Sequence, residues 1–141
     1  MKILKISSLI LVYFFAKAAL AHGEDKPGPN GGFVRMPGAF HTEVVPVGQN
    51  SLKIYLLDIE WKNPSVIGSS VSVTYKGSRT TKKECSIESN YYICEFPKSI
   101  NLRKKGELLV DAQRENQKGN IVSYELPLKL QVIDDGHGGH H

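Results

Sequence analysis

This 141-residue sequence is short of the residues that carry most protein chemistry. It has two cysteines and two methionines, and one methionine is the initiator. The C-x8-C spacing of Cys85 and Cys94 is neither a redox nor a zinc pattern. No apolar run reaches the roughly 20 residues that span a bilayer, so no membrane span is expected in the mature chain. No segment carries a sustained helical stripe. Gly28-Pro29-Asn30-Gly31-Gly32 follows no strand and contains a proline, which excludes a phosphate-cradling glycine loop. No Ser-His-Asp or Cys-His set can be assembled, so an enzyme is not expected.

Charge of one sign is lacking too. Residues 1–21 read as a secretory signal: Lys2 and Lys5, an apolar stretch from Ile6 to Phe15, then Ala19-Leu20-Ala21 as a small-x-small cleavage site. The formal charge of +4 then shrinks, because the 18 Lys/Arg fall to 15 once Lys2, Lys5 and Lys17 leave, against 14 Asp/Glu. That balance argues against a nucleic-acid partner. The compact basic run Arg103-Lys104-Lys105 reads as a solvated turn before Gly106.

What the chain does have is histidine in telling places. Of five, four sit at the ends of the secreted form: His22 at its start, and His137, His140 and His141 at its close. Cleavage after Ala21 gives His22 a free α-amine, which titrates near ~7.7–8, and a metal displaces that proton readily. Amine and imidazole of one residue form a chelate, and copper(II) is the divalent first-row ion such a nitrogen site holds most tightly. Cleavage after Ala18 would remove this chelate. The C-terminal tract places three imidazoles around Gly138-Gly139, with Asp134 and Asp135 beside them, a pattern suited to copper, zinc or nickel.

From residue 40 onward the hydropathy alternates. Val71, Val73 and Tyr75 form one such set, and Leu108, Val110 and Ala112 another. The longest runs through Val122, Tyr124, Leu126, Leu128, Leu130 and Val132. Alternate side chains of a strand face opposite ways, so each segment has a core face and a wet face. The stretch Leu52–Trp61, apolar on both faces, suits a central strand, with Asp58 and Glu60 on one of those faces. Turn signals recur at Gly48-Gln49-Asn50, Asn63-Pro64, Gly77-Ser78, 101–106 and Lys118-Gly119-Asn120. About seven short strands so spaced predict an all-β, antiparallel, immunoglobulin-like sandwich, with a small barrel as competitor. Pro127 marks its strand as an edge, a bulge or a crossing between sheets.

The expected organisation is a signal over 1–21, a Gly/Pro-rich segment over 22–39, the sandwich over 40–133 and a His-rich tail over 134–141. Cys85 and Cys94 flank a hairpin with Ser89-Asn90 at its tip, which sets them opposite each other for a disulfide contributing ~2–3 kcal/mol. In the strand from Phe40 to Val47, His41 and Glu43 share one face about 7 Å apart. They make two metal ligands, or one ligand and a carboxylate that orients it. The bland alternative is the polar face of an ordinary edge strand. Met36 could offer a thioether to copper(I), although a packing role is commoner for methionine.

Gly28-Pro29-Asn30-Gly31-Gly32, then Phe40-His41-Thr42-Glu43-Val44-Val45, then Leu52 to Asp58, resembles small periplasmic proteins and N-terminal adaptor modules associated with heavy-metal efflux pumps. The resemblance covers about residues 22–60. It implies a Gram-negative periplasm, metal handling and an efflux system as partner. The chain is more loosely similar to periplasmic copper-resistance carriers, but it lacks the methionines of their methionine-rich members. Lytic polysaccharide monooxygenases share the N-terminal His chelate and are usually larger. The expected function is therefore periplasmic metal binding, copper first, for resistance or delivery. The rivals are an envelope or efflux-associated interaction module without specific metal binding and a copper-dependent oxidase.

Overall fold

The computed structural model describes residues 25–130. Ten strands occur among them and no helix, so no helix there is long and apolar enough to cross a membrane. They are β1 (Phe33–Arg35), β2 (His41–Val47), β3 (Ser51–Leu57), β4 (Ser70–Lys76), β5 (Thr80–Glu84), β6 (Ser86–Glu88), β7 (Tyr91–Glu95), β8 (Gly106–Arg114), β9 (Gln117–Lys118) and β10 (Val122–Leu126). One antiparallel sheet runs β1-β2-β3-β7-β6, the other β10-β8-β4-β5, with β9 paired to β8. The strand path is that of an immunoglobulin-like sandwich, whose sheets hold the A-B-E-D and G-F-C-C′ strands, with β1 added outside the first.

The alternation in the sequence decides the packing. Leu52, Ile54 and Leu56 of β3 face Val71, Val73 and Tyr75 of β4 and Leu108, Val110 and Ala112 of β8 in one core, closed by Val122, Tyr124 and Leu126. β-Branched and aromatic residues dominate because they fit a pleated, half-buried surface. β3 is paired on both sides, as its apolar character requires. The β2–β3 hairpin turns through Gly48, whose φ of 69° lies in the left-handed region that costs glycine nothing.

Several elements differ from expectation. β3 ends at Leu57, four residues short of Trp61, because Asp58 opens a turn whose backbone closes on itself, Asp58 N to Lys62 O at 2.8 Å. Asp58 and Glu60 therefore share a turn and not a strand face. β10 stops at Leu126, where Pro127 has no N–H to offer, and it is an edge strand. β1 falls inside the segment 22–39, and its pairing of Val34 with Glu43 begins the sheet ahead of residue 40.

The cysteine hairpin forms as expected, with Ser89 at its tip and a Cys85–Cys94 disulfide. Its position adds meaning. β5 pairs with β4 in one sheet, whereas β6 pairs with β7 in the other, so the chain changes sheets at Cys85. The Cys85 N–H still bonds the Val71 carbonyl of β4 at 3.0 Å, while its sulfur is bonded to Cys94 of β7. The disulfide thus ties the two sheets where the chain passes between them.

Candidate functional site

In β2 the even positions Thr42 and Val44 face the core. His41, Glu43 and Val45 point to the outer face of the first sheet, yet His41 is only 4% exposed and Glu43 is fully buried. Two loops cover them. The segment 28–32 lies over Glu43, and the turn 58–62 lies over His41.

Glu43 anchors the first loop. Its carboxylate accepts the Asn30 N–H at 2.9 Å, the Asn30 Nδ2–H at 2.8 Å and the Gly32 N–H at 2.8 Å. The loop is closed on itself by Gly28 N to Gly32 O and Gly31 N to Gly28 O. Gly32 can lie here only because it has no side chain: a Cβ would run into the Val44 carbonyl and the Val45 methyl inside 3 Å. Gly28 is packed as closely on the Glu43 carboxylate and Val34. The G-P-N-G-G segment is thus a fitted cover held by a buried carboxylate.

Asp58 organises the second loop. Its Oδ1 accepts the N–H groups of Glu60 and Lys62, both at 2.9 Å, and its Oδ2 accepts Asn63 Nδ2 at 2.8 Å. The Lys62 N–H first, then the Asn63 amide and the Glu60 N–H, hold the Asp58 carboxyl below its ordinary value. The turn carries Trp61 at φ 65° and Asn63 at φ 51°. Left-handed backbone is unusual for a bulky residue and persists only where its surroundings enforce it. Here it brings the indole edge-on to His41, ring centroids 5.7 Å apart. The buried Arg114 props the loop from behind, its Nε donating to Leu56 O at 3.2 Å and its Nη2 to Asn63 O at 2.6 Å.

His41 Nδ1 lies 3.0 Å from the Asp58 carbonyl oxygen. A carbonyl has no proton to give, so Nδ1 carries the hydrogen and donates it. In the neutral ring the lone pair then sits on Nε2, which makes no hydrogen bond among the described residues. A backbone carbonyl that fixes the tautomer and ring angle in this way is the usual support of a metal-ligating histidine.

The core side of β2 adds a cross-sheet lock. Tyr124 of β10 donates to the Thr42 carbonyl at 3.1 Å and lies 2.7 Å from the Thr42 hydroxyl. The Arg35 guanidinium stands 4.6 Å over its ring. Full burial pushes the Tyr124 hydroxyl well above its ordinary value.

Of the expected metal residues, His41 and Glu43 do share a face, but under separate loops. His22, His137, His140 and His141 lie outside the described residues, as does the signal segment. Among the described residues no group of three or more His, Cys, Asp or Glu side chains gathers that could hold a metal. Met36 is 37% exposed. Asp58, Trp61 and Arg114, which build the setting of His41, carry no motif. The one signal available was Asp58 followed by Asn63-Pro64, a turn in what otherwise reads as strand.

No family model, curated protein or solved structure matches the chain.

Proposed function

We propose that the exported chain is a periplasmic metal-binding protein, taking copper in preference to zinc or nickel, that serves metal resistance or delivery beside a heavy-metal efflux system. It acts as a binder, not a catalyst. The observation that carries this reading is the Nδ1–H of His41 held by the Asp58 carbonyl, which leaves Nε2 as the ligand atom. His22 supplies the other nitrogens, its α-amine and its imidazole. Gly28 is fixed against Glu43. The six residue steps from His22 to Gly28 can extend about 20 Å, and His41 is two positions along β2 from Glu43, roughly 7 Å. Glu43 serves as the anchor of that arm, since its oxygens already accept three N–H groups. His137, His140 and His141 form a second, weaker capture site.

The test is copper(II) binding to the exported protein and to a form with one extra residue ahead of His22. The extension removes the amine from the chelate and leaves every side chain in place. A changed electron paramagnetic resonance spectrum and weaker binding in competition titration are expected. Identical spectra and affinity would place the main site elsewhere.

One observation favours the interaction-module reading: the Glu43 carboxylate and His41 Nδ1 on the outer face of β2 are already engaged by loops, and no ligand cluster forms among the described residues. Under that reading the exported protein binds no copper stoichiometrically.

A further inference from the structure

One end of the sandwich concentrates positive charge that the chain as a whole does not have. The turn after β4, residues 77–79, and the segment 97–105 between β7 and β8 lie side by side, joined by a hydrogen bond from Arg79 Nη2 to Ser99 Oγ. They enclose a cavity of about 260 Å³ lined by Tyr75, Ser78, Ser99, Asn101, Lys104 and Lys105. Arg79, Lys98 and Arg103 stand exposed in these stretches, and Lys76, also exposed, ends β4 opposite Glu107 of β8. None of these six cations forms an ion pair among the described residues. Residues 77–83 and 97–106 contain no Asp or Glu.

The frame is fitted rather than loose. Gly106 lies where a Cβ would meet the Lys76 carbonyl at 2.8 Å, and Gly77 is packed on the Tyr75 hydroxyl. The Ser78 N–H is directed to that hydroxyl, and the Arg103 N–H to Asn101 Oδ1 at 2.9 Å. Engagement of Oδ1 fixes the amide and leaves the Asn101 Nδ2–H donors for a ligand. The concavity therefore offers two ammonium groups, three hydroxyls and an amide, each with a hydrogen to donate. Unpaired like charges so close repel each other, and a bound anion relieves that repulsion.

We propose that this cavity binds a phosphoryl group. Two lysines supply charge to match a dianion, and the surrounding donors match its several oxygens. The site is remote in sequence from His22 and His41 and independent of metal binding.

Inorganic phosphate is titrated into the exported protein at constant ionic strength, with amide shifts as readout. In a second arm, phosphatidylglycerol vesicles are compared with phosphatidylcholine vesicles by co-sedimentation. Saturable shifts at Ser78, Ser99 and 101–105, or retention by the anionic vesicles alone, support the site. The first result marks a soluble phosphate as its ligand, the second a lipid headgroup. Lys104→Gln with Lys105→Gln should weaken the response at least tenfold, while core amide shifts stay in place. The proposal is overturned if neither arm responds, or if the double variant responds as the native protein does.

Discussion

Tyr124 and Thr42, 82 residues apart in sequence, meet through two hydrogen bonds in the middle of the core. The tyrosine hydroxyl takes the Thr42 side-chain proton and gives its own to the Thr42 carbonyl, so neither polar group is orphaned between the sheets. Tyr124→Phe keeps the ring under Arg35 but strips both partners. The expected cost is about 1–3 kcal/mol, the penalty of unsatisfied buried groups, read by chemical denaturation with an unchanged m-value.

Glu43→Gln tests the anchor beneath the N-terminal arm. The amide has nearly the same volume, yet it turns one acceptor into a donor facing N–H groups. Loss of about 1.5–3 kcal/mol is expected, the range for hydrogen bonds to a charged group. Amide exchange should accelerate most at Asn30 and Gly32. Uniform acceleration across the sheet would instead mean that Glu43 supports the fold as a whole.

The Asp58 turn should respond to acid. Its carboxyl is held below 3.8, chiefly by the Lys62 N–H. A depressed carboxylate stabilises the fold above its unfolded value, and that contribution is lost as pH falls through the lower, folded value. Stability of the native protein should therefore drop more steeply than that of Asp58→Asn between about pH 4 and pH 2. The difference should vanish at neutral pH in its slope, though not in its size. Parallel curves would show that the turn does not depend on the ionised form.

Reduction of the disulfide, or Cys85→Ser with Cys94→Ser, should cost about 2–3 kcal/mol for so short a loop. The effect should also be local. The Cys85 amide and the β6 amides, where the chain leaves β4 for β7, should lose exchange protection before the β4–β8 centre does. Hydrogen exchange followed residue by residue distinguishes this from a general loosening.

Where one face of a strand is buried, its side was legible in the sequence. Val71, Val73 and Tyr75, or Leu108, Val110 and Ala112, could face only inward. The cysteine hairpin was legible too, because the tip sets the register. The outer face of β2 was not. Glu43 is buried by a glycine loop that a hydropathy pattern reads as solvent-facing, and Trp61 looks like a strand residue until Asp58 turns the chain. The β8–β9 turn was also missed. Glu115 and Asn116 both adopt positive φ, 47° and 66°, and glutamate is not a residue that announces such a turn. It is held in place by Ser69 Oγ and Gly68 O, contacts with no local signal. The setting of His41 is built by residues 17 and more positions away, which no spacing rule reaches.

The central claim is that His41 Nε2 binds the metal together with His22. Pulsed electron paramagnetic resonance of the copper(II)-loaded protein reports the remote nitrogens of coordinated imidazoles. His41→Gln, checked by circular dichroism to be folded, should lose the signal of one imidazole while retaining the other, with weaker copper affinity. A spectrum and affinity identical to those of the native protein would contradict the account.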